Sequence, residues 1–374
     1  MWQEGRGLMK VLLSYGMGVD STAIALRWLE EPAFRPFKSW DEVTLLTAQV
    51  GDEWPDTRKL VEGHLYPRLV EAGVRTVQIA RNGHFEKDGI GVLADTHLPS
   101  KCHTDGLYAL SQEYLDTGTL PQYATGCRRC THKAKGVPLD AWIKDNGEEG
   151  YLHVIGYNAD ELKRVERGEG YTALGDLNRV MSYPLVEWEW GRKACEAYIH
   201  DVTRQWWTKS CCTFCPFATE EGVTKRFAEH QLQAAEAMFL EYQAMALNPR
   251  STLYKKRSLK DTLLESEFSF DHAKHLLAEF ISGSPWALYR VRRHVKGMSR
   301  RSVEVLDRGS KMDMAFAVEK FGRIDRGDPY WRVWLRRKGT EQPWGEELLV
   351  AMPEMVEPKT RPGFEQAWSE LGDE

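Results

Sequence analysis

The stretch Lys10–Glu30 constrains this chain more than any other. A short apolar run, Lys10-Val11-Leu12-Leu13-Ser14, stops at a turn containing Gly16 and Gly18, and a helix-like stretch follows at Ser21–Glu30 with Ile24, Leu26, Trp28 and Leu29. Strand, glycine turn and helix in that order form the first βα unit of a parallel sheet. Glu42–Val50 reads as a second strand, Asp56–Ala72 as a helix with Leu60, Val61, Leu65 and Leu69, Val74–Ala80 as a third strand, and Leu152–Tyr157 as a later one. Strands alternating with helices predict an α/β fold with a doubly wound, mostly parallel sheet. Ligands of such sheets bind at the carboxyl ends of the strands.

The remaining pattern is looser. His84–Gln122 is rich in Gly, His, Asp and Thr, as expected of a long active-site segment. From Glu220 the periodicity is helical over Val223–Leu247 and Ser258–Ser282, Pro285–Arg301 is basic, and a strand pair is expected around Tyr330–Arg336 and Glu346–Ala351. The chain thus divides into an α/β domain over 1–220, a helical region over 221–301 and a small mixed C-terminal region over 302–374. The formal net charge of -5 argues against a protein that binds polyanions with its whole surface, though a local basic face is compatible with it. The densest basic stretch, Arg290, Arg292, Arg293, Lys296, Arg300 and Arg301, would suit a nucleic-acid backbone (DNA or tRNA) if it lay on a helix, and Lys255, Lys256 and Arg257 form a second group. A solvated charged face is the alternative. No apolar run approaches the roughly 18–20 residues of a membrane span, and the polar start Met1–Lys10 carries no secretory core, so a cytoplasmic location without membrane attachment is expected.

In Ser14-Tyr15-Gly16-Met17-Gly18-Val19-Asp20-Ser21-Thr22 the glycines let backbone amides approach a polyphosphate, and the following helix adds partial positive charge at its N-terminus. The hydroxyls of Ser14, Ser21 and Thr22 are potential phosphate donors. A carboxylate at Asp20 repels phosphate unless it holds Mg²⁺ or orders the loop. The plain alternative is a glycine turn whose helix Asp20 caps. The loop lacks the Gly-Lys-Ser/Thr ending of a Walker A motif.

Seven cysteines include the clusters Cys127/Cys130 and Cys211/Cys212/Cys215. In a reducing compartment, Cys-X-X-Cys pairs bind zinc, ligate iron–sulfur clusters or cycle as dithiols, and a buried reduced thiol is the simpler possibility.

These blocks together resemble the phosphoadenosine-phosphosulfate (PAPS) reductase-like branch of the PP-loop ATP pyrophosphatase superfamily. The loop resembles its Ser-X-Gly-X-Gly-X-Asp-Ser form, with Met17 where the usual shorter motif has its first glycine. Ala48-Gln49-Val50-Gly51-Asp52-Glu53-Trp54-Pro55-Asp56-Thr57 resembles the strand-end block beside the adenosine, Gln49 replacing an acid. Cys130–Leu139, Gly156–Glu161 with Arg164, Tyr183-Pro184-Leu185 and Lys209–Pro216 follow in the family's order, over roughly residues 9–220.

The resemblance implies a PP-loop domain that binds ATP with Mg²⁺ and cleaves it between the α- and β-phosphates. An acceptor would be adenylated and the adenylate then displaced by sulfur or nitrogen, the sulfur coming from a donor or partner subunit, so as to modify a nucleic acid or nucleotide. Asp20, Ser21, Lys133 and Arg164 would act in catalysis, with Ser14, Gly16, Gly18, Thr22, Gly51 and Gly156 holding the nucleotide. Lys135 and Arg128 are further cations for polyphosphate, and His103 and His132 flank the cysteine region. The same resemblance selects Cys130, Cys195, Cys212 and Cys215 as ligands of a 4Fe–4S cluster or, alternatively, zinc, and leaves Cys102 structural. Sulfonucleotide reduction and nucleotide sensing without turnover are the other expectations. No cysteine follows Cys215, and true reductases of this branch carry a late nucleophilic cysteine.

Overall fold

A strand that ends where a helix begins needs its apolar residues on both faces, and Val11–Ser14 has them. Val11 and Leu13 join one core, Leu12 the other. The computed structural model describes residues 10–121, 128–146, 150–166, 179–254, 257–295, 300–324, 328–337 and 344–371. Two units are formed, one from Met1–Leu110 and Ala124–Thr213, the other from Ser111–Tyr123 and Phe214–Glu374. The helical stretch expected over 221–301 and the tail over 302–374 fall in the same unit.

Unit 1 is built on a six-stranded sheet: β1 (Val11–Ser14), β2 (Val43–Ala48), β3 (Arg75–Arg81), β4 (Ile90–Thr96), β5 (Tyr151–Ile155) and β6 (Arg179–Ser182), in the spatial order β4-β3-β2-β1-β5-β6. All neighbours are parallel except β3 and β4. The sheet is therefore mixed but mostly parallel. Its antiparallel edge strand comes from the segment that the sequence leaves weakly patterned.

Helices lie on both faces. On one, α1 (Val19–Glu30), α2 (Pro55–Leu60) with the π turn Val61–Leu65, α3 (Tyr66–Ala72) and a later helix at Arg192–Thr203 enclose a core of Leu13, Ile24, Leu26, Trp28, Leu65, Leu69 and Ile199. On the other, Trp142 and Ile143 cover Leu12, Leu46, Val77 and Ile79. Strand order reverses at β1, since β2 lies on one side and β5 on the other. Such a reversal opens a crevice at the carboxyl ends of the strands.

Unit 2 carries a five-stranded antiparallel sheet of β7 (Trp286–His294), β8 (Arg300–Gly309), β9 (Trp331–Arg336), β10 (Gly345–Pro353) and β11 (Lys359–Thr360), in the order β11-β8-β7-β10-β9. Alternation along β7 splits its residues between two cores, Ala287, Tyr289 and Val291 on one face and Trp286 and Leu288 on the other. The arginines of the basic run thus lie on strands, Arg290, Arg292 and Arg293 on β7 and Arg300 and Arg301 on β8, and not on a helix. They are engaged inside the unit: Arg290 with Glu347, Arg292 with Glu304 and Glu365, and Arg293 with the buried Glu346. Arg301 donates to the carbonyls of Thr117 and Gly118. Lys255, Lys256 and Lys296 lie outside the described residues. No described helix is long and apolar enough to cross a membrane.

Candidate functional site

The chain leaves β1 with Tyr15, whose amide extends the ladder to Leu46 O at 2.9 Å. It then turns through Met17, a non-glycine residue at φ 59°. That left-handed conformation is the one a glycine would take without strain, and it costs an L-residue about 1–2 kcal/mol. Two contacts hold it there: Trp207 Nε1 donates to Met17 O at 3.0 Å, and the Met17 side chain is buried in the main core. Gln49 lies buried beside this sulfur and donates to Gln78 Oε1 at 2.8 Å. Gly18 begins α1 without a side-chain cap. The first amides of a helix have no partner within it, so those of α1 form an uncapped group of donors at the end of β1.

Ser21 closes the turn by accepting from Gly16 N at 3.2 Å. Thr22 faces inward instead. It is fully buried, 3.2 Å from Tyr15 Oη, so its hydroxyl supports the turn from beneath and is not presented as a phosphate donor. Ser14 ends β1 with its hydroxyl 2.7 Å from His153 Nε2. Gly156, just past β5, comes so close to α1 that an added Cβ would lie 2.9 Å from Ser21 N. Gly51 and Asp52 both have positive φ, and a Cβ on Gly51 would overlap Ala109.

Asp20 is engaged by two residues from elsewhere in unit 1. Asn158 Nδ2 donates to one carboxylate oxygen at 3.0 Å, and Arg192 pairs with the other at 3.3 Å. Burial raises its pKa, opposed by Arg192 and then by Asn158. Arg192 is the partner missed in the sequence. It starts the helix Arg192–Thr203, and its amide donates to Asp160 at 2.9 Å. Arg164 pairs with Glu161, lies over the Tyr157 ring and acts on Asp20 only as a more distant charge. Lys133 lies half-buried on a π turn, His132–Gly136, as does Lys135, whose charge acts on Glu53.

Glu53 is a second residue that pattern alone did not single out. Its buried carboxylate accepts from Ser210 Oγ at 2.6 Å and from Cys211 N at 3.1 Å, while Thr213 N donates to Asp52 O at 2.9 Å. With Trp207, these bonds lay the segment 207–213 along the turn, and Ser210 Cβ would lie 3.6 Å from a Cβ on Gly18.

Of the expected four-cysteine set, Cys130, Cys195 and Cys212 lie in unit 1 and Cys215 in unit 2. Among the described residues no group of three or more His, Cys, Asp or Glu is placed to hold a metal ion. Cys195 is buried within the main core of unit 1, and burial pushes its thiol up to about 12. Cys212 forms an isolated bridge with Glu53, Cys130 lies half-buried on a short helix at Arg129–Thr131, and Cys215 belongs to unit 2. Cys127 lies outside the described residues.

Comparison with known families, with curated proteins and with solved structures gives no match for this chain.

Proposed function

We propose that unit 1 binds an adenine nucleotide, ATP in the first instance, with its polyphosphate on the turn from Ser14 to Ser21, as a doubly wound PP-loop domain does. One observation carries this reading. Gly156 lets the end of β5 touch the first turn of α1, so the crevice at the strand-order reversal opens on uncapped helix amides. The amide donors and the Ser14 hydroxyl stand at the end of β1, Arg192 pairs with Asp20 in the first turn of α1, and Lys135 acts on Glu53; a polyphosphate needs donors and cations of this kind. Mg²⁺ would arrive on the nucleotide, because Asp20 is committed to Asn158 and Arg192.

In the enzymatic form of the proposal an acceptor oxygen attacks the α-phosphorus and pyrophosphate leaves. The protein's part is in-line positioning and charge neutralisation. Sulfur transfer to a nucleic acid or nucleotide is the further step that the sequence resemblance implies. The arginines of β7 lend no support to a nucleic-acid acceptor, because they are paired within unit 2.

The commitment of Asp20 favours a second reading, nucleotide binding without turnover. Calorimetric titration of ATP, run beside an assay for released pyrophosphate, decides. Binding with pyrophosphate release supports the enzyme, binding alone supports the sensor, and no binding removes both.

A further inference from the structure

His153 lies on β5 opposite Leu12 of β1, and its buried ring touches a neighbour at each nitrogen. Nδ1 lies 3.4 Å from Arg179 Nη1, and Nε2 lies 2.7 Å from Ser14 Oγ. A guanidinium has only donors, so the Arg179 contact requires a bare, accepting Nδ1. Asp140 holds Arg179 in place at 3.0 Å. Burial, followed by the Arg179 charge, lowers the His153 pKa to about 3, so the ring is neutral around pH 7. A neutral imidazole without a proton on Nδ1 carries it on Nε2. Nε2 must then donate to Ser14 Oγ, and the hydroxyl is left with a proton to give. Among the described residues no other hydrogen bond to Ser14 Oγ is formed.

Resting on the nucleotide reading above, we propose that His153 is a positioning residue that makes Ser14 a donor, directed at an unprotonated phosphate oxygen on the Tyr15–Gly18 turn. The pair is then not a nucleophile with its base, because the nitrogen facing Ser14 already holds its proton. What it supplies is selection. An oxygen that can only accept is favoured at this position, and a protonated or hydroxyl-bearing group gains less.

Two measurements test this. Long-range proton–nitrogen correlation on histidine-labelled wild-type protein should show His153 protonated on Nε2 and bare on Nδ1 near neutral pH. The opposite tautomer, or a charged ring, overturns the proposal whether or not a nucleotide binds. Calorimetric ATP affinity should fall about tenfold in Ser14→Ala, since a hydrogen bond to a charged group is lost. It should stay within about threefold of wild type in His153→Gln, whose amide nitrogen replaces Nε2–H, and fall toward the Ser14→Ala level in His153→Met. Equal losses in the Gln and Met variants would overturn the positioning role. If wild type binds no ATP, the nucleotide reading fails, while the tautomer still decides the hydrogen-bond network.

Discussion

Gly156 and Ser21 meet at the junction of two strand ends and a helix start: a Cβ on Gly156 would stand 2.9 Å from Ser21 N and 3.2 Å from the Asp20 carbonyl carbon. Both neighbours are backbone, so neither can swing aside. Gly156→Ala should therefore displace the first turn of α1 and cost about 1–3 kcal/mol, the usual range for overpacking. Gly16→Ala is the control, because nothing lies within 4 Å of its added Cβ. It should change stability by less than about 0.5 kcal/mol. Urea unfolding of both variants checks the contrast, and equal losses would remove the close-contact role of Gly156.

Met17 invites the opposite substitution, since a glycine would relax φ 59°. Relief is worth at most about 1–2 kcal/mol. The side chain is buried in the core, however, and truncating a buried methionine costs about 2–5 kcal/mol. The lost packing outweighs the relief. Met17→Gly should unfold at lower denaturant, with a net loss of about 1–3 kcal/mol. A stabilised variant would show that the core contact is weak.

These cases show what was legible beforehand and what was not. The parallel strands β1, β2, β3 and β5 could be read because each is an apolar run bounded by turns, and the Tyr330–Arg336 and Glu346–Ala351 pair emerged as the antiparallel neighbours β9 and β10. β4 escaped because its apolar residues Ile90, Val92, Leu93 and Ala94 do not alternate with polar ones, and on this edge strand none of them is fully buried. β7 reads as basic because arginines interrupt its alternation, and their acidic partners lie outside the run, in β8, β10 and Glu365. The loop was visible at the site, but Arg192, His153 and Glu53 were not. Their roles come from partners 172, 139 and 157 residues away in sequence: Asp20, Ser14 and Ser210. Only folding brings them together.

The cysteines divide by burial. Cys102 and Cys195 are buried, and desolvation pushes each thiol up to about 12, which removes the reactive thiolate around pH 7. Cys130, Cys211, Cys212 and Cys215 are only partly buried. Brief alkylation of native protein, followed by peptide mass spectrometry, should label members of the second group and leave Cys102 and Cys195 untouched until denaturant is added. Rapid native labelling of Cys195 would show that its helix does not hold it in the core.

In unit 2, Glu241 ties a loop to its helix. One carboxylate oxygen accepts from Leu253 N at 2.7 Å and the other from Leu259 N at 2.6 Å. Burial pushes its pKa from 4.5 up to about 7, and the backbone bonds only partly oppose that shift. Between those values the folded chain binds more protons than the unfolded one, so this group makes stability fall as pH rises from 4.5 to about 7. His153 acts with the opposite sign: its contribution is complete above 6.5 and is lost as pH falls toward about 3. Comparing wild type with Glu241→Gln isolates the carboxylate. At about pH 5 the wild-type carboxyl is protonated and, like the amide, offers one carbonyl acceptor, so the two proteins should agree within about 1 kcal/mol. At about pH 8 a gap should open in favour of the variant, because wild type then carries a buried charge that the variant lacks. Urea unfolding at both pH values measures the gap, and a constant difference would mean that Glu241 titrates at its ordinary value.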